Sequence, residues 1–83
     1  MELGLDQLRE GENGVVTEIG LPAQRAAALL RLGLRRGAEI RCLRRSPFGD
    51  PAAYRFGGLT AALRKKDAGR ILVRVRGRGE DGR

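Results

Sequence analysis

Residues 32–51 restrict this chain more than any other stretch. They read Leu-Gly-Leu-Arg-Arg-Gly-Ala-Glu-Ile-Arg-Cys-Leu-Arg-Arg-Ser-Pro-Phe-Gly-Asp-Pro. Gly33 is a helix stop, because glycine enters the left-handed region without the clash a Cβ would bring. Leu34 can then fold back on the last helical turn, the usual apolar partner of such a cap. Gly37 closes a tight turn after Arg35 and Arg36. From Ala38 to Arg45 the period changes: Ile40 and Cys42 alternate with Glu39 and Arg41, the pattern of a strand with one face on a core. Ser46–Pro51 reverses the chain, with Pro47 and Pro51 fixing φ and Gly49 supplying permissive backbone geometry. A chain punctuated this closely builds from short elements.

The flanking segments agree. Leu3, Leu5 and Leu8 bracket a short turn that plugs one end of a barrel. Gly14–Ile19 reads as a strand with Val15, Thr17 and Ile19 on one face and Val16 on the other. Its adjacent valines imply either two covered faces or a bulge. Pro22 opens a helix, where its missing N–H costs nothing. Ala23–Leu32 holds four alanines and three leucines, all strong helix formers. Ala23, Ala26, Ala27 and Leu30 share a face, so the first expectation is a helix that closes a barrel and is buried on most sides. The alternative leaves Leu29, with Ala28, exposed for docking. Ala52–Phe56 and Leu59–Arg64 form a hairpin across Gly57-Gly58, a turn of the primed type. Lys65–Gly69 makes a helical turn in which Asp67 caps or pairs with a cation. Arg70–Arg76 is a last strand with Ile71, Val73 and Val75 inward. Residues 77–83 hold no apolar side chain and read as a disordered tail. Five short strands joined by glycine and proline turns indicate one mainly-β domain over residues 1–76, a small antiparallel barrel with one short helix.

Three blocks carry a family resemblance. Leu32-Gly33-Leu34 with Gly37, then Pro47-Phe48-Gly49-Asp50-Pro51, then Leu63-Arg64-Lys65-Lys66-Asp67-Ala68 with Ile71 and Val73, resemble the ferrous iron transport protein A (FeoA) family in order and spacing. One position departs: the family usually has proline before the turn glycine, where this chain has Arg36. Proline only pre-organises such a turn, so the expected fold is unchanged. The resemblance implies that the barrel is SH3-like. It also implies an accessory role in ferrous iron uptake beside the FeoB-type membrane transporter, whose cytoplasmic part carries a GTP-binding domain.

Composition narrows the chemistry. Histidine is absent, so no Ser-His or Cys-His pair can activate a nucleophile, and no enzyme is expected. Cys42, the one cysteine, alternates with polar neighbours and reads as a small core residue; it cannot form an internal disulfide. Asp50 and Asp67 sit where backbone caps belong, which makes metal ligation unexpected. No cofactor is expected either, since Gly57-Gly58 precedes a strand and cannot cradle phosphates at a helix start. The longest apolar run, Ala26–Leu30, is too short to span a bilayer, and the N-terminus lacks the pattern of a secretion signal, so the expected location is the cytoplasm.

The net charge is +7, and the cations are spread along the chain. Charge of this sign steers a protein toward acidic protein surfaces, anionic membrane surfaces or nucleic acid. Docking to the transporter, peripheral to the membrane at most, is the reading the resemblance favours. The expected contact residues are Arg25, Leu29 and Arg36 on and after the helix, and Pro47, Phe48, Gly49, Asp50 and Pro51 in the turn. Two other readings stand beside it: a basic barrel that binds RNA, and a free regulatory module like the SH3-like C-terminal domain of iron-dependent repressors. Weak self-association through exposed strand edges is a further expectation.

Overall fold

The apolar–polar alternation resolves into six strands in the computed structural model, which describes residues 1–76. They are β1 (Glu2–Gly4), β2 (Asn13–Ile19), β3 (Glu39–Arg45), β4 (Ala52–Phe56), β5 (Leu59–Leu63) and β6 (Ile71–Arg74). A 3-10 turn at Leu5–Gln7 follows β1, helix α1 (Ala23–Arg31) follows β2, and the one-turn helix α2 (Lys65–Ala68) precedes β6. The strands form one sheet in the order β1-β6-β2-β3-β4-β5, every neighbouring pair antiparallel. The mainly-β architecture is the one expected. The additional strand is β1, whose three residues are too few to show an alternation. It pairs with β6, and Thr17 Oγ1 of β2 donates to the Glu2 carboxylate beside it. The tail expected at 77–83 lies outside the described residues.

Two bulges set which side chains face inward. In β2 the register against β6 shifts between Val16 and Glu18, so Thr17 is the extra residue. An extra residue reverses the phase of alternation. Val16 is therefore buried on one side of it, Ile19 packs on the core on the other, and Val15 faces solvent. The expected grouping of Val15 with Thr17 and Ile19 breaks here, while the bulge offered as its alternative is present. In β3 the register against β4 shifts between Cys42 and Arg44, which makes Leu43 the extra residue. The β4–β5 hairpin turns through Gly57 and Gly58 with φ of 57° and 80°, as a primed turn requires.

The core gathers Leu5, Leu8 and Leu34 from the connections with Ile40, Cys42, Tyr54, Phe56, Ile71 and Val73 from the sheet and Val75 just after it. No charged side chain is buried among the described residues. Helix α1 ends as its sequence dictates. Gly33, at φ +103°, donates to Leu30 O at 2.9 Å, and Leu34 donates to Leu29 O at 2.9 Å while its side chain is fully buried. These two bonds satisfy carbonyls that a helix end leaves open.

The helix itself does not close the barrel as expected, for none of its residues is buried. Ala26 and Leu29 are half-buried against the core, whereas Leu30 is 51% exposed. The physical reason is space. Leu5, Leu8 and Leu34 already fill the interior, so the apolar contact of α1 with the core is made by the half-buried Ala26 and Leu29.

Candidate functional site

The turn at 46–51 is built by its own backbone. Gly49 donates to Ser46 O at 2.8 Å, and Ser46 donates to Pro51 O at 3.2 Å. Gly49 lies at φ +83°, and the Asp50–Pro51 bond is cis. This shape sends Phe48 outward, 94% exposed, with Pro47 exposed beside it. Asp50 turns the other way: its Oδ1 accepts the Lys65 N–H at 2.8 Å. A carboxylate from a distant turn thus satisfies an amide at the start of α2 that the helix cannot satisfy itself.

The Arg25 guanidinium pairs with the Asp67 carboxylate. Helix α2 is therefore tied both to α1 and to the turn. One residue from each group of expected contact residues, Arg25 and Asp50, meets α2 there. Sequence reasoning placed Asp50 and Asp67 as caps or partners, but nothing in it showed that both converge on α2 or that Lys65 and Lys66 would stand beside the turn. The block Leu63–Ala68 held that signal only as a family pattern.

The other expected residues go elsewhere. Leu29 accepts the helix-stop bond and packs inward, so the apolar surface this segment shows to solvent belongs to Leu30 and Leu32, 51% and 43% exposed. Arg36 is exposed in the connection to β3, where Gly37 at φ +89° donates to Val16 O at 2.7 Å. That bond and a positive φ hold the turn without the missing proline. The C-terminal end of α1 lies at the β4–β5 hairpin, since a Cβ on Gly33 would come 3.9 Å from Gly57 Cα. Arg36 follows Leu30 and Leu32 in the chain and is exposed as they are.

Cys42, Tyr54 and Arg45 are each held by the fold itself. Cys42 is fully buried, and burial pushes its thiol up, which disfavours the thiolate that a nucleophile needs. Tyr54 donates its hydroxyl to Leu5 O at 3.4 Å, and burial pushes it up to about 12. Arg45 is a structural cation: its guanidinium donates to the Asp6 and Leu8 carbonyls, and its amide donates to Glu10 at 2.8 Å. Among the described residues, His, Cys, Asp and Glu form no group of three or more able to hold a metal ion. No helix of the described residues is long and apolar enough to cross a membrane. An open recess lined by Asn13, Val15, Glu39 and Arg74 lies where β2 meets β3 and β6. What remains is a pair of exposed surfaces: an apolar–basic end of α1, and an aromatic turn beside a lysine pair.

Comparison with known proteins bears on these surfaces. The FeoA domain model matches residues 3–75. The solution structure of FeoA from Chlorobium tepidum aligns with a TM-score of 0.85 at 31% identity, over 89% of this chain and 70% of that one. Stenotrophomonas maltophilia FeoA, crystallised with zinc, aligns with a TM-score of 0.73 at 31% identity, over 86% of this chain and 88% of that one. It is described as a prokaryotic SH3 domain protein and a candidate activating factor of bacterial ferrous iron transport. A manganese-dependent transcriptional repressor shares the fold at 23% identity and a TM-score of 0.78, over 89% of this chain but 41% of its own. Among curated proteins nothing matches.

Proposed function

The chain belongs to the FeoA domain family, and from that premise we propose that it is a non-catalytic accessory of ferrous iron transport that docks on the cytoplasmic GTP-binding region of a FeoB-type transporter. Its barrel is SH3-like, as in the Stenotrophomonas relative. The observation that carries the docking reading is the C-terminal end of α1. Leu30 and Leu32 are exposed there among Arg31, Arg35 and Arg36, and residues 19–38 contain no Asp or Glu. Apolar side chains at the centre of a cationic surface fit a partner with an apolar patch and an acidic rim. In this reading Arg25 and Leu29 hold the helix in place for docking, and Arg36 makes contact.

The test is a titration of the intact protein against the cytoplasmic region of the transporter at physiological salt. Leu30→Asp with Leu32→Asp is expected to weaken binding at least about 30-fold, as loss of central interface anchors does, with the circular dichroism spectrum unchanged. Equal affinity for the folded double variant refutes the surface. An RNA oligonucleotide titrated in parallel should bind weakly and be released by salt.

A further inference from the structure

Phe48 has no part in the α1 end. It is 94% exposed, on a turn held in one shape by two backbone hydrogen bonds and by Asp50 on the Lys65 amide. An aromatic ring fixed in water gains free energy when a partner covers it. The segments on either side of it are rich in cations, with Glu10 also reaching the base of the turn through the Arg45 amide. Residues 41–76 contain ten Arg and Lys against two carboxylates, Asp50 and Asp67. The charge is thus less evenly spread than the whole-chain count suggests. Both carboxylates are engaged, Asp50 with the Lys65 amide and Asp67 with Arg25. Arg64, Lys65 and Lys66 are exposed beside the turn, and Arg44 is exposed on the strand leading into it.

We propose that the Pro47–Asp50 turn, with Phe48 at its tip and Arg44, Arg64, Lys65 and Lys66 around its base, is a contact site for an anionic lipid surface. An aromatic ring settles at the boundary between headgroups and acyl chains, while Lys and Arg reach the phosphates around it. One apolar anchor binds a bilayer only marginally, and a basic patch is the second signal that makes the contact persist. A projecting tip suits a deformable surface better than a protein interface, whose anchors sit within a broad apolar centre. Nucleic acid fits less well, because single strands stack on several aromatic platforms. Here Tyr54 and Phe56 are each 1% exposed, so Phe48 is the aromatic left outside among the described residues. The contact does not depend on what binds the α1 end.

The chain has no tryptophan, so Phe48→Trp provides a single reporter. The intact protein is mixed with vesicles of phosphatidylcholine alone, or of phosphatidylcholine with phosphatidylglycerol. The expected result is sedimentation and a blue shift of the Trp emission with the mixed vesicles only, both reduced by added salt. Phe48→Ala is expected to weaken sedimentation about 10-fold, and Lys65→Gln with Lys66→Gln about 20-fold. Binding of Phe48→Ala to the lipid-free cytoplasmic region of the transporter should equal that of the parent. Absence of vesicle binding, or binding indifferent to Phe48→Ala, overturns the proposal. Loss of transporter binding in Phe48→Ala assigns the turn to a protein interface, and RNA binding lost in the same variant assigns it to nucleic acid; either outcome also overturns it.

Discussion

Tyr54 couples the fold to alkaline pH. Burial raises its pKa to about 12, with Arg45 pulling the other way. The ionised form is thus disfavoured in the folded chain relative to the unfolded one, where the pKa is about 10. The sign follows: this contribution is fully present below about pH 10 and is lost as pH rises through about 12. The unfolding free energy from urea curves should fall over that window by up to about 1.4 kcal/mol per pH unit. Cys42 is shifted the same way by burial, so the comparison belongs in a Cys42→Ala background. There Tyr54→Phe should flatten the alkaline limb, and an unchanged limb would assign it to other groups. Ser46 tests the opposite kind of residue. Its Oγ is buried and finds no hydrogen-bond partner among the described residues. A desolvated hydroxyl without a partner opposes folding, so Ser46→Ala should leave stability equal or raise it by up to about 1 kcal/mol, read from the same urea curves.

Among the elements, the segment ends were legible in sequence and the packing was not. Gly33 and Leu34 announced the helix stop because that signal is local: one residue must take a positive φ, and the next must be apolar. A Cβ on Gly33 would meet only Gly57 Cα at 3.9 Å, so space does not forbid it; the φ of +103° does. Gly33→Ala should therefore cost about 1–2 kcal/mol, seen as a lower urea midpoint with the sheet intact. The turn at 46–51 was legible for the same reason. That Asp50 would seat α2 was not, since it joins residues fifteen apart through one amide. Asp50→Ala should cost about 1 kcal/mol and speed amide exchange at Lys65 in particular. The apolar side chain that α1 shows to solvent differs by one helical position from the one the docking alternative expects. Composition gives α1 several apolar residues, and only the filled interior decides that Leu29 turns in and Leu30 out.

For the whole molecule, the distribution of charge matters more than its sum. The cations that follow α1 and those beside the 46–51 turn belong to different elements, so substitutions at one are expected to leave the contact proposed for the other unchanged. Arg35→Glu with Arg36→Glu should slow association with the transporter about 10-fold at low salt and less at physiological salt, because rim charges act through encounter. Leu30→Asp should act mainly on dissociation; stopped-flow mixing separates the two.

Helix α1 carries a further consequence. Nine residues are too few to be stable alone, and this helix is secured by two half-buried side chains, its glycine cap and the Arg25–Asp67 pair. An undocked population is the expected consequence, and a partner that grips Leu30 and Leu32 would bind only the docked fraction. Affinity at that end is the intrinsic affinity multiplied by that fraction. Loosening the helix at Asp67, a residue outside the α1 end, should weaken the partner's hold by the same factor that it lowers the docked population.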